Sequence, residues 1–378
     1  MKHVFILIMV LSLIGFAPVL ADATQLVKDI EEDNSPSILW ERSIGGPDIF
    51  GNTFIDSEEA GGPSYGWVDI SASGTEIATS DGLGDDDRTG PYPIGFLFPF
   101  YGHGEEFFWI QSNGCISFSP VRVGLTNHPL PYSELDAMIA LFWDDLDPYN
   151  GEYGNVYYET IVLGSHEVCV VTFEGYSEHP PSPSQDRITM QVLFSDDGRI
   201  RIQYQNIDAG FDRTSCSIGI QNHDGTDGLT YIFNDGTGEY PYNLLAIDFL
   251  PPEPSATLSG IIYQNGGGRV ANANVRVGCG QTTSDETGHY TIEGVYPGTY
   301  PYIVWKNGYD AVRATSTLST GDNSLYSSLA LSPTPISGGF STDFESGTQV
   351  FSAEGEWEFG TPIYSPDGAH SGSNAWST

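Results

Sequence analysis

The sequence predicts an all-β, multidomain chain of antiparallel β-sandwich modules joined by Pro/Gly/Ser linkers. Three observations carry that expectation. Short aromatic strands broken by Gly, Pro and Asn recur along the chain. Between Gly95 and Pro148 it reads Gly-Phe-Leu-Phe-Pro-Phe-Tyr-Gly, then Ser-Asn-Gly-Cys-Ile-Ser-Phe, then Ile-Ala-Leu-Phe-Trp-Asp-Asp-Leu-Asp-Pro. The composition, with 45 Gly, 21 Tyr and 20 Phe and no long Ala/Leu/Glu/Lys runs, favours strands over helices. The length of 378 residues exceeds the roughly 250–300 at which one hydrophobic core stops growing.

Taken in order, Lys2 and His3 precede an apolar run from Val4 to Phe16, and Val19-Leu20-Ala21 offers small or apolar residues at a cleavage site. Residues 1–21 therefore read as a secretory signal peptide, since the run is shorter than the about 20 apolar residues a membrane span needs. The expected compartment is secreted, extracellular or cell-surface, and no later segment reads as transmembrane. Residues 22–43 are a polar N-terminal arm in which a short helix around Leu26–Glu32 is conceivable.

Residues 44–250 form the first β module. One hairpin is specified in detail. Ile188, Met190, Val192 and Phe194 alternate, as do Ile200, Ile202 and Tyr204. A three-residue loop with Gly198 left-handed pairs Phe194 with Ile200 and Val192 with Ile202. A two-residue turn would mix buried and exposed faces. Val168–Phe173 is apolar on both faces, as a central strand should be. Asp224-Gly225, Asp227-Gly228 and Asp235-Gly236 read as turns.

Pro251-Pro252-Glu253-Pro254 is a stiff linker (251–255). Residues 256–331, with some seven short strands, fit a small Ig-like or prealbumin-like sandwich. Residues 332–341 are a second linker, and 342–378 begin another β pattern too short to build a core, so a longer protein is expected. Ser284-Asp-Glu-Thr-Gly-His-Tyr290 and Gly294-Val-Tyr-Pro-Gly-Thr-Tyr300 resemble the carboxypeptidase regulatory-like family. That resemblance implies a non-catalytic spacer module, related to carbohydrate-binding-like folds, on a secreted protein. Cys279-Gly280 departs from the pattern. Gly45-Gly-Pro-Asp48, Gly61-Gly-Pro-Ser-Tyr65, Gly95–Gly102, Ser112-Asn-Gly114 and Phe142–Pro148 make the first module similar to nidogen-like domains of secreted bacterial proteins. The last 37 residues resemble the start of a MAM-like, peptidase-associated jelly roll.

The net charge of −37 repels phosphate backbones, which excludes nucleic acid as a partner and makes anionic membranes poor ones. It reads either as a solvated acidic surface or as cation binding. The cysteines at 115, 169, 216 and 279 permit two disulfides in three connectivities. Cys216 alternates with Ile218 and Ile220 and reads as a core residue. No Cys-x-x-Cys, Gly-x-Ser-x-Gly or His-Glu-x-x-His motif occurs, and the histidines are scattered in turn-like settings as single surface residues. No enzyme, and no catalytic or cofactor-binding residue, is expected.

Two acidic clusters are candidate calcium ligands, for a structural ion: Asp85, Asp86 and Asp87 in a Gly-rich loop, and Asp144, Asp145 and Asp147 after Phe142-Trp143. Calcium takes about six to eight oxygens, often from loop carboxylates. The alternatives are a solvated loop for the first and strand-end capping for the second. Tyr65, Trp67, Tyr157 and Tyr158 could stack on sugars or pack between sheets. The resulting expectation is a non-catalytic, monomeric set of modules for adhesion, display or scaffolding, with carbohydrate or a cell-surface protein as partner. The alternative is a set of carbohydrate-binding accessory modules of a secreted hydrolase, a peptidase by preference.

Overall fold

The computed structural model describes residues 44–77, 83–148, 154–182 and 184–332, and the backbone of Glu358–Gly360 and Ala375–Ser377. The expected signal peptide, the N-terminal arm with the helix considered around Leu26–Glu32, and nearly all of 332–378 lie outside the described residues. Every regular element among the described residues is a strand.

Residues 44–250 build two facing sheets. The larger runs, in spatial order, Ile44–Gly45, Thr53–Asp56, Ala246–Leu250, Ile200–Ile207, Ile188–Ser195, His166–Glu178, Asn155–Leu163 and Thr75–Ile77, with Leu146–Asp147 added on His166–Glu178. The second runs Gly228–Phe233, Ser217–Gln221, Met138–Trp143, Cys115–Ser117, His103–Gln111 and Arg88–Phe100. Alternation decides the core. Ile188, Met190, Val192, Phe194, Ile200, Ile202 and Tyr204 all turn inward to meet Phe98, Phe108, Ile139 and Ile218. Phe98 and Phe194 lie 5.0 Å apart across the sheets, an aromatic contact contributing about 0.5–1.5 kcal/mol beyond burial. The predicted hairpin register is observed, with Phe194 opposite Ile200, Val192 opposite Ile202, and Gly198 at φ 85°.

Val168–Phe173 is buried on both faces because the outer face of its sheet is also covered. Ile70 packs there on Val168, Val170 and Leu193. The covering segment is held by two buried glutamines. Gln203 accepts from Gly66 N (2.7 Å) and donates to Gly66 O (3.0 Å), and Gln191 does the same to Val68. The second sheet repeats the device, for Gln221 accepts from Tyr132 N and donates to Leu135 O. A side-chain amide carries both a donor and an acceptor, so each glutamine stands in for a strand residue.

Residues 256–329 form a smaller sandwich. One sheet is His289–Val295, Ala256–Gln264 and Gly321–Ser324, with Ser327–Leu329 also on Ala256–Gln264. The other is Gly280–Thr283, Asn274–Val277, Gly298–Trp305 and Val312–Leu318. Both short strands pair with Ala256–Gln264 in parallel. The other pairings of this sandwich are antiparallel, as expected; these two are parallel because the chain crosses from one sheet to the other after Leu318 and then runs in the direction of the first strand.

Some local expectations are corrected. All four thiols are free; Cys115 and Cys169 are buried in separate strands, and Cys216 is buried in the core, as expected, just before strand Ser217–Gln221. Asp227-Gly228 is not a turn. Gly228 opens a strand, and the Asp227 carboxylate accepts from Ile49 N and Phe50 N. The two sandwiches are in contact. The Phe50 ring lies 5.4 Å from Tyr101 and 5.2 Å from Tyr296. Cys279 N donates to Gly102 O (2.9 Å), and Arg276 pairs with Glu106 (2.9 Å) and donates to Gly104 O.

Candidate metal centre

The wholly buried strand Met138–Trp143 ends in Asp144-Asp145, and the chain turns into the two-residue strand Leu146–Asp147. That strand pairs with the end of His166–Glu178, placing Ser177 opposite Asp147. His179 N donates to Asp145 O (2.8 Å), continuing the pairing by one step. Cross-strand partners share a face and alternate residues repeat it. Asp145, Asp147, Ser177 and His179 therefore share one face, while Leu146 enters the core from the other. Asp85 reaches the same place from the loop before Arg88–Phe100. His179 Nδ1 is 3.2 Å from Asp147 Oδ2 and 3.5 Å from Asp85 Oδ2. One ligand atom from each of Asp85, Asp145 and His179 lies within 4.8 Å of the others.

The electrostatics are those of acids gathered with little compensating charge. Hydrogen bonding to Asp147 raises the His179 imidazole above its ordinary value, with Asp85 and Asp145 adding to it. Partial burial raises the Asp85 and Asp145 carboxyls, with Asp147 adding to both. The mouth is open and the floor is not. The Asp85 and His179 side chains are 44% and 41% exposed, that of Asp147 only 8%.

Of the six sequence candidates, three converge: Asp85, Asp145 and Asp147. Asp86 turns away to accept from Asn113 Nδ2 (2.8 Å), whose own Oδ1 accepts from Leu146 N. Asp87 accepts from Arg88 N and pairs with Arg122 at 2.7 Å. Asp144 accepts from Asp145 N, the capping use, and its carboxyl is pushed up to about 6 by burial and by neighbouring Asp212. Glu178 beside them is pushed up to about 7, first by burial and then by Asp212 and Asp144. His179 and Ser177 were not legible as partners. They lie some 30 residues from Asp147, and only the sheet pairing brings them there.

Other histidines also leave the isolated settings expected of them. His166 meets Asp196 (2.6 Å) and Asp197 (3.8 Å) at an exposed hairpin tip. Those acids are already engaged: Asp196 with Glu167 N, Asp197 with Ser195 Oγ and Arg199. His103 packs against His223 (4.2 Å, planes inclined by 36°) and meets the Tyr300 ring edge-on (5.3 Å) at the contact between sandwiches. A groove of about 710 Å³ opens beside that contact, lined by Phe50, Tyr101, His103, Asp224, Glu253 and Tyr296 among others. Of the four aromatics considered for sugar stacking, Tyr158 packs on Tyr92 and Phe108 in the core (5.2 and 5.6 Å). Trp67 and Tyr157 line a small hollow of about 110 Å³ on the outer face, and Tyr65 is half-buried.

A sequence model of the NIDO-related family matches residues 61–242. Among solved structures, a C-terminal interface mutant of a type II cohesin–X-dockerin complex from Acetivibrio cellulolyticus is 22% identical. It covers 19% of this chain and 52% of that chain, with a TM-score of 0.18. An N-terminal interface mutant of the same complex is 20% identical over 20% of this chain and 58% of that one, at 0.19. The Bacillus anthracis TIE protein is 11% identical over 47% of this chain and 41% of that chain, also at 0.19. The chain thus spans about half the length of the chains it matches, and superpositions this poor carry no argument about fold or partner. The family match falls on the first sandwich, so residues 61–242 are similar to a nidogen-like β module.

Proposed function

We propose that this chain is a non-catalytic part of a secreted modular bacterial protein, serving adhesion, surface display or scaffolding. In this reading residues 1–21 direct export and the second sandwich is a carboxypeptidase regulatory-like spacer. The observation that carries it is the packed contact between the sandwiches. Phe50 is clasped between Tyr101 and Tyr296, and Gly102 O is bonded by Cys279 N. Such a contact holds two modules in one orientation, so whatever they present is held at a fixed spacing. The nidogen-like match supports an extracellular setting. Small-angle scattering of residues 44–332 should fit one fixed arrangement, and panels of peptide and glycan substrates should show no turnover. Turnover that a point substitution in this chain abolishes would overturn the reading.

A second reading is that of carbohydrate-binding accessory modules of a secreted hydrolase, by preference a peptidase, with its catalytic part elsewhere. The inter-sandwich groove favours it, for it sets aromatic faces beside the Asp224 and Glu253 carboxylates, a mix suited to sugar rings and hydroxyls. A glycan array probed with the wild type and Tyr296→Ala decides it. A hit lost in the variant supports sugar binding, and a blank array rejects it.

A further inference from the structure

We propose that Asp85, Asp145, Asp147 and His179 form a binding site for one divalent transition-metal ion of the zinc or manganese class. A gathering of acids would not suffice for this, because the surface is acidic throughout. The independent observation is Ser177. It is 1% exposed, its side chain leaves the strand on the face shared by Asp147 and His179, and its Oγ has no hydrogen-bond partner. A hydroxyl withdrawn from water with nothing to bond is costly. One further buried atom lacks a partner in the same place, Asp145 Oδ1. A cation with its bound water would satisfy the acids directly and the hydroxyl through that water.

Donor chemistry selects the ion. Calcium and magnesium take oxygen almost exclusively, whereas an imidazole nitrogen among carboxylates suits zinc, manganese or iron. The calcium expected from the sequence assumed an all-oxygen set, before His179 was seen to join it. The spacing agrees. Ligand atoms about 2.1 Å from a tetrahedral ion stand about 3.4 Å apart, and the two observed His179 separations are 3.5 and 3.2 Å. The half-exposed Asp85 and His179 provide a way in, and Asp147 a fixed floor. Asp85 comes from the loop before Arg88–Phe100 and Asp147 from a strand paired with His166–Glu178, so the ion would cross-link the loop at 83–87 to the end of that strand.

The test uses the full chain, stripped with a chelator and then offered zinc, manganese or calcium separately. The expected result is one bound zinc or manganese per chain by equilibrium dialysis, with a rise in melting temperature of several degrees and little response to calcium. Asp85→Asn and His179→Ala, both at exposed positions, should each weaken zinc binding at least tenfold while circular dichroism stays native. His166→Ala should bind as the wild type does. No bound metal, binding indifferent to Asp85→Asn and His179→Ala, or calcium bound as tightly as zinc in both wild type and His179→Ala would each overturn the proposal.

Discussion

The His179 cluster and the His103–His223 pair both bring imidazoles near carboxylates, yet they perturb the ring in opposite directions. His179 is raised because Asp147 accepts its hydrogen bond while solvent still reaches it. His103 is pushed down to about 4 because burial and the neighbouring His223 outweigh the attraction of Asp224. Two carboxylates do sit by that pair, but Glu105 is spent on His223 Nε2 (2.8 Å) and Asp224 on its own turn. Counting charges nearby therefore misleads. Which atom faces the ring, and how much water remains, decides whether a histidine collects cations or simply packs.

The contrast can be broken most forcefully at the junction. Gly102 sits at φ +77°, and a Cβ there would come within 2.2 Å of Tyr300 Oη. Gly102→Ala should lower stability by about 2–4 kcal/mol, combining left-handed strain with a displaced ring. Urea unfolding measures it, and an unchanged midpoint would mean that the sandwiches do not depend on that contact. The next effect is one of pH. The folded His103 value lies below the unfolded one of about 6.5, so burial favours the neutral ring. Its contribution is complete above about pH 6.5 and declines as pH falls toward 4. Between pH 7 and 5 the wild type should lose about 1 kcal/mol more than His103→Gln, after allowance for partial solvent access. Parallel pH–melting curves for the two proteins would refute the packing role.

Smaller effects sharpen the comparison. Arg276→Ala removes a pair with the 59%-exposed Glu106 and a bond to Gly104 O, and should cost about 1 kcal/mol or less. That loss should shrink in high salt only for the Glu106 component. At the hairpin tip, His166→Ala should leave stability in zinc indistinguishable from the wild type. A lost zinc response there would move the metal away from His179.

Much of the fold was legible because it rests on period-two alternation. The Ile188–Ile207 hairpin followed from which register keeps Val192 and Ile202 on one face. Three of the four proposed ligands, Asp85, Asp145 and Asp147, could be read as well, because they fall in two conspicuous acidic clusters. What sequence could not supply was the partner across the sheet, because His179 and Ser177 look ordinary until pairing sets them beside Asp147. The glutamines hid for another reason. Gln191 and Gln203 sit at outward-looking strand positions that alternation assigns to solvent, yet they are fully buried and fastened to Val68 and Gly66. The parallel strands after Leu318 escaped because a crossover leaves no periodic trace.

The order of strands at one edge of the larger sheet has a mechanical consequence. Thr53–Asp56 and Ala246–Leu250 are antiparallel neighbours, with Thr53 opposite Leu250. The chain enters this edge through Ile44–Gly45, which pairs on the far side of Thr53–Asp56 and runs in the same direction as Ala246–Leu250. Entry and exit therefore lie at opposite ends of the edge. Tension applied along the chain would first load the short Ile44–Gly45 pairing in shear, and only after its release peel Thr53–Asp56 from Ala246–Leu250 one rung at a time. A tether built on this module would yield in two steps, and the clasp around Phe50 would be the next connection to bear the strain.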